Sequence, residues 1–163
     1  PKVPQTVVVD DRRLLISAGY TVGCRMLDVA RNDSGTWEVK ELWKAKTLKP
    51  KFMNPIRRGD YIYGVDDGAF LMCIAVDDGK VKWRSPRDSK FGHAQILLVD
   101  DLLIVQSETG DVALVPAEPT KYEELGRFTA LPEGRTWNVP VLWGKFLLLR
   151  NNKEAACYEL PIE

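Results

Sequence analysis

The sequence has a single histidine, three scattered cysteines and no long apolar run. A membrane-spanning helix needs about 20 consecutive apolar residues. The longest runs here, Ile96-Leu97-Leu98-Val99, Leu102-Leu103-Ile104-Val105 and Phe146-Leu147-Leu148-Leu149, have the length of buried strands. No membrane span is expected. His93 alone cannot build a multi-histidine metal site. Cys24, Cys73 and Cys157 include no CxxC pair, so neither a disulfide framework nor a cysteine zinc site is indicated. Cys73 and Cys157 sit in apolar strand patterns and are expected to be buried thiols acting as small hydrophobes. Charge of one sign is also lacking, with 23 basic and 23 acidic residues. That balance argues against a dedicated nucleic-acid surface. A nucleophile elbow, a phosphate-binding loop and a dinucleotide glycine fingerprint are all absent.

What is present is a repeat. The clearest unit runs from Asn54 to Trp83 and holds four short strand candidates: Pro55 to Arg58, Tyr61 to Val65, Ala69 to Val76 and Lys80 to Arg84. Gly59-Asp60, Asp66-Asp67-Gly68 and Asp77-Asp78-Gly79 separate them. Asp-Gly pairs between β-rich runs mark hairpins, because such turns need residues that tolerate positive φ. The same order recurs at Gln5 to Ala30 with Val39 to Trp43. It recurs again at Ala94 to Ala117 with Tyr122 to Phe128, and at Val139 to Leu160 without a fourth strand. Asp11, Asp60, Asp101 and Lys145 fall at equivalent turns, spaced by 49, 41 and 44 residues. Arg31 to Thr36 reads as an insertion, and Glu118 to Leu125 as a long connection rather than a helix.

Four strands per period of roughly 40 to 50 residues is the signature of propeller blades. The expected fold class is all-β: about four four-stranded antiparallel blades, the last incomplete, in one domain over residues 1–163. Approximate blades are 1–47, 48–86, 87–131 and 132–163.

The segment Asn54 to Trp83 resembles a quinoprotein-like (PQQ-type) repeat. The match runs through Pro55-Ile56, Gly59-Asp60, Ile62-Tyr63-Gly64, Asp67-Gly68, Leu71 to Val76, Gly79-Lys80 and Trp83. In that family an Asp and a Thr hold the repeat tryptophan; Ala75 and Asp78 stand in those places, so this side-chain network is expected to be degraded. Phe128 replaces the tryptophan in the third blade, and Pro116 the Asp. The resemblance implies the C-terminal half of a larger bacterial propeller with seven or eight blades. It also implies an envelope or periplasmic location, as in the family's best-known non-catalytic branch, the outer-membrane barrel assembly lipoproteins of Gram-negative bacteria.

The family's quinone-dependent alcohol and sugar dehydrogenases need a calcium site and, in many members, adjacent cysteines. No such constellation maps onto this sequence, so no cofactor and no metal are expected. The acidic pairs Asp10-Asp11, Asp66-Asp67, Asp77-Asp78 and Asp100-Asp101 read as turn-formers.

Candidate ligand contacts come from the segments that lead into successive blades: Lys51 and Asn54, Lys90 and His93, Arg135 and Asn138. If they share one rim they would form a polar, weakly basic channel mouth. The leading functional expectation is a non-catalytic scaffold for protein binding or assembly. Its partner is another protein, or a second copy that closes an eight-bladed ring as a homodimer. The alternatives are half of a quinone-dependent dehydrogenase and a purely structural self-assembling unit.

Overall fold

The computed structural model describes residues 3–161, which form fifteen strands in four antiparallel sheets. The first holds β1 (Val7–Val8), β2 (Arg13–Ala18), β3 (Gly23–Arg31) and β4 (Trp37–Ala45). The second holds β5 (Ile56–Arg58), β6 (Tyr61–Val65), β7 (Leu71–Ala75) and β8 (Val81–Arg84). The third holds β9 (Gln95–Val99), β10 (Leu102–Gln106), β11 (Asp111–Pro116) and β12 (Gly126–Thr129). The fourth has three strands, β13 (Val141–Trp143), β14 (Phe146–Arg150) and β15 (Ala155–Glu159). Each strand pairs with its neighbour in sequence, which is the up-and-down order of a propeller blade.

Two boundaries differ from expectation, each for a local reason. The Arg31 to Thr36 insertion lengthens a hairpin, carrying the β3–β4 ladder out to the Arg31–Trp37 pair. The Asn32 side chain closes its turn by accepting from the Ser34 and Thr36 amides at 3.1 and 2.9 Å. In the third blade the outer strand starts at Gly126 rather than Tyr122. Tyr122 and Glu124 are drawn away toward Ser89 of the preceding connection, at 2.8 and 2.9 Å.

The blades pack face to face, and three apolar clusters fill the gaps. Leu15, Met26, Ile62 and Ile74 lie between blades one and two. Tyr63, Cys73, Leu103 and Val115 lie between blades two and three, and Ile104, Val112, Leu147 and Leu149 between blades three and four. Middle strands such as β6 and β7 are therefore covered on both sides, which explains their nearly unbroken apolar sequence. Fully burying one such side chain contributes about 1.5 to 3 kcal/mol.

The outermost aromatics tie each blade to the next. The Trp43 indole donates to the Val76 carbonyl at 2.9 Å, and that of Trp83 to the Glu118 carbonyl at 2.6 Å. Main-chain carbonyls thus accept these indole hydrogen bonds, where the family pattern uses Asp and Thr side chains. Phe128 instead stacks edge-on against Tyr158, with centroids 5.1 Å apart.

β14 reads Phe-Leu-Leu-Leu, a two-faced buried pattern, yet alternates between buried and exposed. Leu147 and Leu149 face blade three; Leu148 on the opposite face is open, with Val141 and Trp143 beside it. Cys157 shares that face and is exposed, contrary to the buried thiol expected; among the described residues no blade lies over it. Cys24 and Cys73 are buried, and burial pushes their thiols up to about 12 and about 11.

Candidate functional site

Antiparallel order fixes which loops can meet. In each blade the first strand starts, the second ends and the third begins at the same end of the sheet. The lead-in to a blade therefore lies beside the turn between its second and third strands. Polar side chains of those turns fasten the lead-ins. Asp66 accepts from the Lys49 amide at 2.9 Å, Glu108 from the His93 amide at 3.1 Å, and Asn152 from the Arg135 amide at 3.1 Å. Asp67, Glu108 and Asn152 occupy the same repeat position, two residues after β6, β10 and β14.

This fastening brings three lead-ins together. The Phe52 ring meets the His93 ring edge-on at 5.1 Å and the Trp137 ring at 5.2 Å. The Arg135 guanidinium lies 5.8 Å from the Trp137 ring centre. Glu108 sits at the hub: its second carboxylate oxygen accepts from the Trp137 indole at 2.9 Å. Gly92 makes the approach possible, because it has φ +64° and a Cβ there would stand 2.6 Å from Glu108 Cβ. Trp137 remains 44% exposed, so the cluster offers an aromatic surface to a ligand.

The six candidate residues fall differently around this hub. His93 and Arg135 belong to it. Asn138 follows Trp137 and is half-buried. Lys51 turns to Asp67 at 2.6 Å and lies over Tyr20. Asn54 accepts from the Gln5 amide at 2.8 Å. Lys90 is exposed near Phe70, its ammonium 5.8 Å from that ring's centre. Phe52 and Trp137 lie in the same lead-ins as the candidates, whereas Glu108, which joins these lead-ins, was not among the expected residues. Aligning the blades on Asp67, Glu108 and Asn152 supplies the signal for Glu108.

The carboxylates here are occupied by the protein itself. Burial opposes ionisation of Glu108, yet the His93 and Trp137 donors hold its carboxyl below the ordinary value. The Lys51 ammonium does the same for Asp67. Asp66 is buried between Lys49 and Arg84, at 3.5 and 3.7 Å. Among the described residues no three His, Cys, Asp or Glu side chains converge as a metal-ligand group. This donor set does not fit the calcium-and-quinone centre of the family's dehydrogenases, because cations or ring N–H groups already hold each carboxylate.

A family model described as outer membrane protein assembly factor BamB matches residues 2–85 and 30–119, together more than half of the chain. The chain belongs to this BamB family. Its membership agrees with the PQQ-type repeat seen in blade two. The crystal structure of BamB from Moraxella catarrhalis superposes with a TM-score of 0.69 at 13% identity, over 93% of this chain and 45% of that one. The WD40 β-propeller domain of Doa1 superposes with a TM-score of 0.64 at 11% identity, over 97% of this chain and 51% of that one. Both likenesses are of fold, and the chain spans about half the length of each. No curated protein sequence matches it.

Proposed function

We propose that the chain is a non-catalytic propeller scaffold of protein assembly, and that the aromatic rim around Glu108 is its contact surface for a polypeptide. The observation that carries this reading is the meeting of three lead-ins, with Phe52 against the His93 and Trp137 rings and Glu108 accepting from the His93 amide and the Trp137 indole. Rigid, partly exposed aromatics are the usual anchors of protein contacts. The BamB family relationship supports an assembly role in the bacterial envelope.

Selection of phage-displayed peptides on the chain tests the proposal. The expected peptides bind at least about tenfold more weakly to Trp137→Ala and Phe52→Ala, a loss of about 1.4 kcal/mol or more. Peptides that bind these variants as well as the parent would place the contact surface elsewhere.

A second reading concerns the ring. Val8, Ile16, Trp37 and Val39 are exposed on the outer face of blade one, and Val141, Trp143 and Leu148 on that of blade four. Apolar faces of this kind mark interfaces. We propose that they are covered when the ring closes, by further blades of the same type or by a second copy in an eight-bladed homodimer.

A further inference from the structure

A cavity of about 590 Å3 opens between the end of β8 and the lead-in to blade three, with Phe70, Arg84, Ser85, Pro86, Arg87 and Lys90 in its wall. It lies at the same end of the sheets as the aromatic rim, but Phe52, His93, Glu108 and Trp137 take no part in it. Three of its wall residues are cationic and none is acidic. The Arg84 guanidinium is 3.7 Å from Asp66, a buried carboxylate that the Lys49 amide and ammonium already hold. Arg87 and Lys90 are exposed, and neither pairs with a carboxylate among the described residues.

Main-chain hydrogen bonds fix this wall. Ala69 has φ +73° and closes a turn in which its amide donates to the Asp66 carbonyl, and the Asp66 amide to the Phe70 carbonyl, both at 2.8 Å. That turn sets Phe70 at the head of β7. The Phe91 amide donates to the Ala69 carbonyl at 2.8 Å, which draws Lys90 to the same place. The Ser85 amide donates to the Leu71 carbonyl at 2.8 Å and its hydroxyl to the Ser89 carbonyl at 2.9 Å, while the Ser89 amide returns to the Pro86 carbonyl at 3.1 Å. Arg87 thus stands on a closed turn. The Arg84 guanidinium lies over the Phe70 ring, 4.0 Å from its centre, and the Lys90 ammonium is 5.8 Å from that centre. Gly68 leaves room for the stack, since a Cβ there would stand 3.0 Å from Arg84 Nη2.

Three like charges around one cavity repel each other, and a bound anion relieves that repulsion. A carboxylate carries one charge and pairs flat with one guanidinium. A phosphate monoester carries a charge of about −1.5 to −2 at neutral pH and presents three acceptor oxygens in different directions. Three cations on separate stems suit the second ligand better. We propose that Arg84, Arg87 and Lys90 form a phosphate pocket, and that its ligand is a phosphate monoester dianion, borne by a soluble molecule or by a lipid headgroup. Stacking on Phe70 preorganises the Arg84 guanidinium, so less rotamer freedom is lost on binding. This inference does not rest on the polypeptide reading of the rim.

Titration calorimetry with glycerol 3-phosphate at low ionic strength tests the pocket. This probe is aliphatic, so the aromatic rim offers it no stacking partner. Dimethyl phosphate is the tetrahedral control with a single charge, and succinate the carboxylate control with two. Glycerol 3-phosphate is expected to bind at least about tenfold more tightly than either. Arg87→Ala and Lys90→Ala are each expected to weaken it by about tenfold. Both side chains are exposed, so their removal leaves the packing of the blades intact. Amide resonances of residues 84–90 are expected to move on titration.

Vesicles of phosphatidylcholine with and without phosphatidic acid separate the two sources. Retention on phosphatidic acid vesicles that is lost in Arg87→Ala assigns the phosphate to a lipid headgroup. Binding of glycerol 3-phosphate without such retention assigns it to a soluble ester. Succinate bound as tightly as glycerol 3-phosphate would overturn the phosphate assignment and point to an acidic polypeptide instead. The pocket itself would be overturned by glycerol 3-phosphate that does not bind, by affinity unchanged in both variants, or by resonance shifts confined to other residues.

Discussion

The Trp43 indole N–H donates to the main-chain carbonyl of Val76, and the same ring lies flat over Gly79, the residue that closes the next hairpin. One contact thus couples a blade's outer strand to its neighbour's turn. Gly79 has φ +68°, and a Cβ there would stand 2.5 Å from Trp43 Cζ3. Gly79→Ala is expected to destabilise by about 2 to 3 kcal/mol, from left-handed backbone strain plus overpacking. Gly59→Ala is the comparison: φ is +56°, with nothing within 4 Å of the added carbon. It is expected to cost about 1 kcal/mol, the backbone part alone. Urea midpoints of the two variants check the difference.

A second prediction concerns acid. Glu124 accepts two bonds from Arg127, both at 2.9 Å, and one from Tyr122 at 2.6 Å. The Arg127 guanidinium holds its carboxyl down at about 2, while burial pushes the Tyr122 hydroxyl up to about 12. A carboxyl with a depressed folded-state pKa stabilises fully above its ordinary value of 4.5 and loses that contribution as pH falls toward 2. Glu124→Gln is expected to be less stable than the parent by about 1 to 2 kcal/mol at neutral pH. Thermal midpoints of the two proteins should converge between pH 4.5 and about pH 2. A gap that stays constant through that window contradicts the ion-pair account.

Thiol chemistry separates the cysteines. Cys157 is exposed, and Cys24 and Cys73 are buried with raised pKa values. A maleimide under native conditions, at concentrations where the chain is monomeric, is expected to add to Cys157 alone, and to all three in denaturant. Mass spectrometry counts the adducts, and native labelling of Cys73 would contradict the packing between blades two and three.

Glu108 is predicted to organise the rim without holding up the fold. Glu108→Ala removes the acceptor of the Trp137 indole and of the His93 amide. Both donors lie near solvent, so the stability loss is expected to be about 1 kcal/mol. The emission attributable to Trp137, obtained by subtracting the spectrum of Trp137→Phe, should shift to longer wavelength. An unchanged spectrum contradicts the hub role.

The blades were legible because their turns are local. Gly59-Asp60, Asp67-Gly68 and Asp78-Gly79 announce hairpins through backbone conformations that few residues tolerate. The start of β12 was not legible, since Tyr122 and Glu124 leave the ladder for Ser89, a partner 33 to 35 positions away. The rim was half legible. Lead-ins carrying His93 and Arg135 could be singled out, but the stacking of Phe52 on both His93 and Trp137 depends on how neighbouring blades are rotated. Cys157 misled because an apolar strand with two buried faces and one with a single covered face share the same composition. β14 and β15 carry the two-faced pattern, and only one face is covered here.

That mismatch bears most directly on the proposed scaffold. Trp143 is 74% exposed, on a face whose sequence suits burial. If this face and the outer face of blade one close a ring, the isolated chain should associate through them. Absolute mass by size exclusion with light scattering, across a dilution series, is the decisive measurement. Ring closure predicts a mass above that of the single chain, 18.4 kDa, reverting to it in Trp143→Lys. A monomer at every concentration would contradict closure of the ring by a second copy.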